Sequence, residues 1–568
     1  MNLALGSSVV GGTVSLTDEE RSRHIHVLGA SGTGKSKLLE AMIRQDIKAG
    51  RGLCLIDPHG TLADDVLRWC AATGMQDFRR IHIVEPAELG WTAGFNPLRL
   101  DGTTDPSVRV DAMVAACAQV WGGEAMTGTP LLKKCLRAVF YTLAIRGLTL
   151  AEAPFLTTGT NREVRQALTA DLPDMVFQSV WRDFEGLPRR EFFEQFSSTN
   201  NRLMEFLSSP VVRRVVGQQK HALDLRAVMD KGEIVIVNLA HRGALSADNA
   251  RLLGTLLTSE LFLLALSRDA EIARRRPFTV YIDECYDFLT GDIEKILDQT
   301  RKFGLHAVLS HQRLGQLGPF FNGVMAGAQT KVVFGGLQDD DAEVMAREVY
   351  RSSFNLERPK HVLDKPVVVD EVPYWLESES WTESEGTTTG TAASSSWGSA
   401  SGGSESLSRT YDSSGREQSG SLAEGLTSSE SYGGGSSTSE SRSITSSRTR
   451  GRSQTLKPVR MWLPTAVHSL EEELHLATVN LRELPNQVAV VKRRGHPPIR
   501  VRPSVIKPAM AGPARVATVK DVCRQASPYL TDSETATSEI EARERALVGA
   551  PPVAAKDGFD PFWVEEDL

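Results

Sequence analysis

Eight residues near the start of the chain have the types and spacing of a phosphate-binding loop. In order, Gly29, Ala30, Ser31, Gly32, Thr33, Gly34, Lys35 and Ser36 form the pattern G-x-x-x-x-G-K-S. Glycines let backbone N–H groups turn toward phosphate oxygens, and the N-terminus of a following helix favours negative charge. In such a loop the lysine reaches the β- and γ-phosphates of a nucleotide, and the serine hydroxyl binds Mg²⁺. The motif therefore predicts a nucleotide site in which Lys35 and Ser36 have these roles.

The flanks of this loop are those of a strand and a helix. The apolar residues 25–28 precede it, and residues 36–43 follow it with the pattern of a helix. The alternative is a Gly-rich turn in some other α/β protein. The strand–loop–helix context favours the phosphate-binding loop.

A pair of carboxylates provides the second group of candidate residues. Residues 278–284, Phe-Thr-Val-Tyr-Ile-Asp-Glu, predict an apolar strand that ends in two acids. In a nucleotide site, the first carboxylate holds Mg²⁺ through water and the second acts on the attacking water as a general base. We assign these roles to Asp283 and Glu284. The alternative is a strand that simply ends in acidic turn residues.

Two further candidates flank the next predicted strand, residues 306–310. Gln312 follows its C-terminal end, where ligands of parallel sheets gather, and is predicted to sense the γ-phosphate or to position water. The alternative for Gln312 is a hydrogen bond to loop backbone. Arg301 ends the preceding helix, where it either complements the helix dipole or acts as an arginine finger on the nucleotide of a neighbouring subunit.

An α/β pattern over residues 1–376 must position these side chains, because apolar runs alternate there with helical patterns. Most of these runs are continuous, which is typical of strands buried on both faces of a parallel sheet. The strands are predicted at 24–28, 53–56, 81–84, 233–238, 279–282, 306–310 and 331–334, and helices at 107–121, 130–145, 162–170 and 191–207. The helical stretch predicts an all-helical subdomain inserted over residues 100–225. A run of crossover helices within one continuous domain is the alternative.

The composition changes after residue 376. Roughly a third of residues 377–455 are Ser, and such a stretch buries too little apolar surface to offset its ordering entropy. It predicts a disordered Ser/Gly-rich linker, with a platform for Ser and Thr modification as the alternative. Residues 456–510 predict a small α+β segment with a helix and a basic hairpin, and residues 511–568 a largely disordered acidic tail. The aromatic and acidic residues 557–568 fit either a docking peptide or an ordinary disordered terminus.

The clearest basic cluster lies on the predicted hairpin. Lys492, Arg493 and Arg494 precede its turn, and Arg500 and Arg502 follow it. These five residues are candidates for contacts with nucleic-acid phosphates. The alternative is a solvated, charged hairpin that docks on the rest of the protein.

Net charge and cysteine content narrow the possible partners and location. The formal net charge is −7, so any contact with DNA must be local. The 6 cysteines include no C-x-x-C pair, which is typical of reduced thiols rather than of disulfides or structural zinc. The N-terminus lacks a signal-peptide pattern, and the apolar segment 252–266, interrupted by polar residues, predicts a buried helix rather than a membrane span. A cytoplasmic location is expected.

The order of these motifs resembles the HerA/FtsK superfamily of hexameric DNA-pumping ATPases. Within it, the chain is similar to the soluble ATPase part of the conjugative coupling proteins of type IV secretion systems (TraG/TraD type). The resemblance covers roughly residues 1–350. Its motifs are residues 29–36, 55–60, 94–98, 252–254, 281–284, 301–305 leading to Gln312, and 341–342.

The resemblance implies an α/β fold with a RecA-like P-loop NTPase core in two parts, residues 1–99 and 226–376. It implies a homo-hexameric ring with ATP and Mg²⁺ at subunit interfaces and DNA in the central pore. The motif match gives Lys35 and Ser36 the phosphate-loop roles, Asp283 and Glu284 the metal and base roles, Gln312 the sensor role and Arg301 the role of a finger in trans. Asp57 and His59 also match a family motif, although a Pro turn that caps the next helix explains them equally.

Two departures from the family pattern shape the expected function. Coupling proteins usually carry N-terminal membrane helices and HerA proteins an N-terminal barrel, whereas the loop here begins at residue 29. We expect an ATP-driven DNA translocase of conjugation, mobilisation or a related mobile-element or defence system, recruited to the inner membrane only through partners. An effector, a relaxase or a secretion channel is the expected partner. The alternatives are a nucleotide-gated scaffold ring for an effector and a protein-secretion ATPase.

Overall fold

Parallel strands form the centre of the main sheet, and antiparallel strands extend it on one side. The computed structural model describes residues 2–9, 11–122, 130–269, 271–272, 276–291, 293–354, 359–362, 367–390, 400–411, 417–429, 439–461 and 464–549. The strands are β1 (Leu3–Ser8), β2 (Thr13–Leu16), β3 (Ile25–Leu28), β4 (Gly52–Asp57), β5 (Ile81–Val84), β6 (Trp91–Ala93), β7 (Ile234–Asn238), β8 (Phe278–Ile282), β9 (Leu305–His311), β10 (Thr330–Phe334), β11 (Pro359–Val362), β12 (Val367–Gly390), β13 (Ala400–Tyr411), β14 (Glu417–Ser429), β15 (Ser439–Met461), β16 (Pro464–Val467), β17 (Ala489–Lys492), β18 (Ile499–Pro503) and β19 (Leu530–Asp532).

Helices pack against both faces of the main sheet. They are α1 (Asp18–Ser22), α2 (Lys35–Lys48), α3 (Thr61–Thr73), α4 (Pro106–Val120), α5 (Pro130–Ile145), α6 (Pro154–Thr157), α7 (Arg162–Thr169), α8 (Met175–Glu185), α9 (Arg189–Leu207), α10 (Pro210–Val216), α11 (Leu225–Lys231), α12 (Ala247–Leu266), α13 (Ile293–Thr300), α14 (Phe321–Gly327), α15 (Asp339–Tyr350), α16 (Leu470–Arg482), α17 (Pro513–Ala526) and α18 (Ser533–Gly549).

The main sheet has 11 strands in the order β2-β1-β18-β17-β10-β3-β9-β8-β4-β7-β5. Every neighbouring pair from β10 to β5 is parallel, and β17, β18, β1 and β2 pair antiparallel beyond β10. All seven strands predicted from apolar runs are the parallel strands of this sheet. This arrangement confirms the predicted α/β fold with a large parallel sheet.

Alternating side chains of the central strands contribute to two different cores, because successive residues of a strand point to opposite faces. In β4, Cys54 and Ile56 belong to the core shared with α4 and α12, whereas Leu53 and Leu55 belong to the core shared with α2, α3 and α17. A third, smaller core joins β10 and β17 to α15 and α16. The continuous apolar runs that identify these strands in the sequence thus reflect burial on both faces.

Helices alone occupy the described residues between β6 and α11, apart from one isolated bridge between Gly94 and Ala222. Their apolar side chains belong to the same core as one face of the sheet. Among the described residues, α12 is the helix that is long and apolar enough to cross a membrane, by length and composition only. Of its apolar window, 67% is buried against the rest of the protein, as expected for residues 252–266.

The C-terminal residues differ from the predicted acidic tail. Residues 513–549 form α17, β19 and α18, so the expectation of a largely disordered segment over 511–568 is wrong for this part. Val519 and Cys523 of α17 are buried in a core, and β19 pairs with β6. The sparse apolar residues of this segment are sufficient because they complete cores built by distant parts of the chain. The predicted docking residues 557–568 lie outside the described residues.

The basic hairpin and the Ser-rich stretch also differ from expectation. Strands β17 and β18 are part of the main sheet rather than of a separate small domain. Much of 377–455, predicted as a disordered linker, is described as strands of an antiparallel sheet in the order β12-β15-β14-β13. Cross-strand ion pairs such as Arg452–Glu377, at 2.7 Å, and Arg450–Glu379, at 3.0 Å, accompany this pairing. This sheet belongs to a second compact unit, Asn355–Leu470, and all the candidate site residues belong to the first.

A buried ion pair joins the N-terminal helix α1 to α2 and is bonded by a tyrosine of β8. The Arg21 guanidinium donates to Asp46 Oδ2 at 2.5 Å, and the Tyr281 hydroxyl donates to the same oxygen at 2.7 Å. Both charged side chains are almost fully buried. Removal of one partner would leave the other charge buried and unpaired, which costs more than the pair itself contributes.

We predict that Asp46→Ala lowers the free energy of unfolding by about 3–5 kcal/mol, because it strands the Arg21 charge. Glu19→Ala is the matched control, since it removes an ion pair with Arg23 in which Glu19 is exposed, and it should cost at most about 1 kcal/mol. Urea unfolding midpoints provide the measurement. Equal losses for the two variants would contradict the prediction.

Candidate nucleotide site

The phosphate-binding loop connects β3 to α2, as the sequence predicts. Gly34 immediately precedes α2 with φ +116°, a backbone conformation that side chains rarely adopt. Gly29 packs so closely that an added Cβ would lie 2.5 Å from Phe334 Cβ of β10. Both positions therefore need glycine for geometric reasons that are independent of any ligand.

Lys35 is buried at the start of α2 and folds back over the loop. Its Nζ donates to the carbonyl oxygens of Gly29, at 2.6 Å, and Ala30, at 3.0 Å. Burial lowers the pKa of Lys35, while the charges of Glu284 and Asp283 act in the opposite direction. The ammonium group thus lies within the electrostatic influence of both predicted acids. Ser36, the next residue, is exposed at the first turn of α2.

Asp283 and Glu284 follow β8 at the carboxyl-terminal edge of the sheet, and both are buried. Burial, followed by the charge of Asp57, raises the pKa of Asp283, and Lys35 opposes this shift. Burial also raises the pKa of Glu284, although its hydrogen bond to Gln312 opposes the shift. The desolvated carboxylates thus depend on nearby donors and cations to remain ionised.

Glu284 combines a strained backbone with a carboxylate that is hydrogen-bonded at only one of its two oxygens. Its backbone adopts φ +46°, which is strained for a residue with a side chain. Gln312 Nε2 donates to Glu284 Oε1 at 2.6 Å. The second oxygen, Oε2, is buried and accepts no hydrogen bond from the described residues. A buried carboxylate oxygen without a donor can accept the proton of a water molecule bound beside it.

Gln312 is itself held by the turn that follows β9. Its backbone N–H donates to Gln316 Oε1 at 3.3 Å, and the N–H of Arg313 donates to the same oxygen at 2.9 Å. The side chain therefore bonds Glu284 rather than loop backbone, in contrast to the simpler interpretation. Lys35, Asp283, Glu284 and Gln312 come together at adjacent strand ends.

Asp57 has the helix-capping role that the residues themselves suggest. Its carboxylate accepts from the backbone N–H groups of His59 and Ala63, both at 2.9 Å. It thereby fixes the turn into α3, while its charge acts on Asp283. His59 is exposed beside this turn.

Arg301 lies at the opposite edge of the sheet. It is exposed in the 3₁₀ turn Arg301–Phe303, which immediately precedes β9, whereas Gln312 follows the same strand. A strand of this length spans about 20 Å. Arg301 therefore does not reach the loop of its own subunit.

The five basic hairpin residues separate into two groups. Lys492, Arg493 and Arg494 line a cleft of about 680 Å³ at the amino-terminal edge of the parallel strands. Arg500 lies elsewhere and donates to Asn480 Oδ1 at 3.0 Å, and Arg502 is exposed on β18. The single phosphate-contacting patch predicted from the sequence is thus divided.

Sequence reasoning missed one contact of the loop with the C-terminal part of the chain. The backbone N–H of Gln487 donates to the Thr33 carbonyl at 2.9 Å, with Gln487 at φ +61°. This contact places the segment before β17 against the phosphate-binding loop. One signal in the sequence is the turn-forming Pro-Asn pair before Gln487, but it does not reveal the contact.

The parallel sheet, with a phosphate-binding loop between β3 and α2, has a RecA-like P-loop fold. No protein-family model matches the sequence, and no curated protein matches it. Among solved structures, the chain is similar to the bacterial conjugative coupling protein TrwBdeltaN70 in its unbound form, with 15% identity, a TM-score of 0.51, and coverage of 90% of this chain and 91% of that one. TrwB in complex with the ATP analogue ADPNP matches with 15% identity, a TM-score of 0.50, and coverage of 90% and 92%.

A more distant neighbour is VirB4 of Thermoanaerobacter pseudethanolicus. It has 13% identity and a TM-score of 0.41 over 61% of this chain and 87% of that one. The likeness to TrwB is one of fold, and it confirms the expected architectural resemblance to coupling proteins.

Glu284→Gln is predicted to stabilise the protein in a pH-dependent manner. Because the pKa of Glu284 is raised above its ordinary value of 4.5, the folded chain holds this proton more tightly than the unfolded chain. Ionised Glu284 thus costs stability above its folded pKa, and the cost disappears as the pH falls through it. The Tm of the variant should exceed that of the wild type at pH 8, and the difference should shrink as the pH approaches 4.5.

Glu205→Gln, at an exposed position of α9, is the control and should show no such trend. Thermal unfolding followed by circular dichroism between pH 5 and 8 provides the comparison. A Tm difference for Glu284→Gln that is independent of pH would contradict the assigned burial effect.

Proposed function

We propose that this chain is an ATP-hydrolysing ring motor that moves DNA in conjugative transfer, mobilisation or a related mobile-element or defence system. The observation that carries the proposal is the convergence of Lys35, Asp283, Glu284 and Gln312, with one buried oxygen of Glu284 lacking a donor. The fold shared with TrwB, a conjugative coupling protein, supports the conjugative context.

The residues present fit a nucleotide with Mg²⁺. Lys35 is positioned to exchange its bonds with the Gly29 and Ala30 carbonyls for contacts with the β- and γ-phosphates. The Ser36 hydroxyl and Asp283, through water, would hold the metal, which neutralises charge that develops on the phosphates. TrwB has been solved with the ATP analogue ADPNP, which supports ATP as the nucleotide.

Hydrolysis then uses Glu284 as the general base. Glu284 Oε2 accepts a proton from water as the water oxygen attacks the γ-phosphorus and the bond to the β-phosphate oxygen breaks. The hydrogen bond from Gln312 to Oε1 orients the carboxylate and favours its ionised form. The position of the end of β9 thereby affects the orientation and ionisation of Glu284.

We predict that Lys35→Ala abolishes ATP binding and that Glu284→Gln retains binding but lowers turnover by about 10²–10⁴-fold, because only the latter preserves the phosphate contacts. Wild-type protein should displace a third strand from triplex DNA in an ATP-dependent manner, and neither variant should do so. Binding of a fluorescent ATP analogue, phosphate release and strand displacement are the measurements.

The motor assignment fails if DNA does not stimulate ATP hydrolysis by the wild-type protein and the third strand is not displaced. Both results must hold at low and at physiological salt. Retained turnover in Glu284→Gln would remove this residue from the mechanism. A ring that hydrolyses ATP without moving DNA would instead favour the scaffold function.

The position of Arg301 supports a ring in which each site is completed by a neighbour. The residue is exposed at the edge of the sheet remote from its own loop, where a subunit packed against this edge would bring its own loop close. Removing an arginine finger typically costs about 10³–10⁵ in turnover.

We predict that Arg301→Ala alone is inactive and that mixing it with Lys35→Ala restores activity. Arg301→Ala subunits keep an intact loop, and Lys35→Ala subunits keep an intact Arg301. If equal amounts of the two assemble at random into a six-membered ring, about one quarter of the interfaces combine the intact loop with the intact arginine. Lys302→Ala, which changes the adjacent exposed cation, is the control and should retain activity. Inactive mixtures, with active wild-type protein treated identically, would contradict the trans role.

A further inference from the structure

A basic cleft lies between the start of β10 and the tip of the β17–β18 hairpin. Its cationic lining residues are Lys331, Lys492, Arg493 and Arg494, and Glu348 is the one carboxylate among the described residues that line it. The cleft measures about 680 Å³ and is open to solvent at the hairpin tip, where Arg494 and His496 are exposed. It is at the edge of the sheet opposite the nucleotide site.

Two lysines that line this cleft lie directly opposite each other on adjacent strands. Lys331 of β10 is the register partner of Lys492 of β17, and like charges directly opposite each other destabilise a strand pair. Lys331 is also 2% exposed, and its Nζ donates to the Met325 carbonyl at 2.6 Å. Burial lowers the pKa of Lys331 to about 8, and Glu348 opposes this shift. The arrangement favours an anion in the cleft.

The neighbouring arginines differ in how far their charges are compensated. Arg493 contacts Glu20 Oε1 at 3.3 Å and the Ser15 carbonyl at 3.4 Å. Arg494 donates to a neutral group, Gln329 Oε1, at 3.3 Å. The side chain of Arg494 therefore keeps its full charge available at the mouth of the cleft.

A buried histidine pair connects this cleft to the nucleotide site. His26 of β3 is the register partner of Lys331, and its Nε2 lies 2.6 Å from Nε2 of His311 in β9. The two rings are stacked, with centroids 4.8 Å apart. His311 directly precedes Gln312, which bonds Glu284.

The hydrogen bonds define the protonation of this pair. His311 Nδ1 lies 3.0 Å from the Arg313 carbonyl, which can only accept, so Nδ1 carries the hydrogen. Burial lowers the pKa of both imidazoles, that of His311 to about 4, so each neutral ring carries one hydrogen and His311 Nε2 accepts from the Nε2–H of His26. His26 Nδ1 is left without a hydrogen and, among the described residues, without a partner. The hydrogen bonds thus run in one direction, from His26 to His311 and from His311 to the Arg313 carbonyl.

We propose that the basic cleft binds phosphates of the DNA backbone and that Lys331, His26 and His311 couple its occupancy to Gln312. The inference rests on the proposed function, since DNA is the polyanion that a motor of this kind handles. A phosphate beside Lys331 competes with the Met325 carbonyl for the ammonium group and screens its charge at His26. No phenylalanine, tyrosine or tryptophan is among the described lining residues, which favours contacts with the backbone phosphates over stacking on bases.

Binding is tested with Lys492→Ala/Arg494→Ala and fluorescently labelled single-stranded and duplex oligonucleotides. We expect this variant to lose about tenfold or more in affinity, and its log–log salt slope to fall by about 0.7–0.9 for each lost phosphate contact. Arg450→Ala/Arg452→Ala, which removes two largely exposed cations from β15, is the matched control and should bind normally. Inorganic phosphate at millimolar concentration should not displace the oligonucleotide.

Coupling is tested with His26→Phe, which removes the donor to His311, and His26→Gln, which can still donate. His26→Phe should bind DNA and ATP normally but lose stimulation of hydrolysis by DNA, and His26→Gln should recover part of it. Basal hydrolysis of the control Arg450→Ala/Arg452→Ala should equal that of the wild type.

Each failure has a distinct meaning. Wild-type protein that binds no DNA would overturn the proposed function itself. The cleft would not be a site for backbone phosphates if both double variants bound DNA as tightly as the wild type. Displacement of the oligonucleotide by inorganic phosphate would have the same meaning. Full stimulation in a folded His26→Phe would overturn the coupling alone.

Discussion

The parallel register of the central strands is the constraint on which the rest of the structure depends. Because β3, β9 and β8 are adjacent and parallel, their carboxyl ends meet, and so do the loop, Gln312 and the acidic pair. Residues separated by almost 250 positions thus become neighbours through strand order alone. A shift of β9 by one residue would turn Gln312 to the other face and remove the bond to Glu284.

Burial gives this edge its chemical character and its cost. Two carboxylates and one lysine are removed from water together, so each is stabilised mainly by the charges and donors of the others. The strained backbone of Glu284 adds to the free-energy cost of this site. Such a site is stable only because the strands beneath it, buried on both faces, contribute far more than it costs.

The sequence was sufficient for those elements whose residues respond to local constraints. Strands buried on both faces require continuous apolar runs, and a phosphate loop requires glycines where Gly34 and Gly29 stand. It was insufficient where the constraint comes from far along the chain: β1 pairs with β18 almost 500 residues away, and α17 is ordered by cores it completes. The histidine pair belongs to no sequence motif, because His26 and His311 lie on strands far apart in the chain that only the fold makes adjacent.

The two edges of the sheet are therefore different chemical surfaces joined by the same strands. Strands β10 and β3 carry Lys331 and His26 near one edge and continue to Phe334 and Gly29 at the other, where these two residues are packed tightly together. A displacement of β10 relative to β3 at the basic edge would consequently disturb the packing of Phe334 against Gly29 under the phosphate loop. Densely packed interiors do not deform gradually, so we expect β10 and β3 to move between discrete packing arrangements. The proposed coupling between anion occupancy and hydrolysis would thus run through these strands and the turn that carries Gln312.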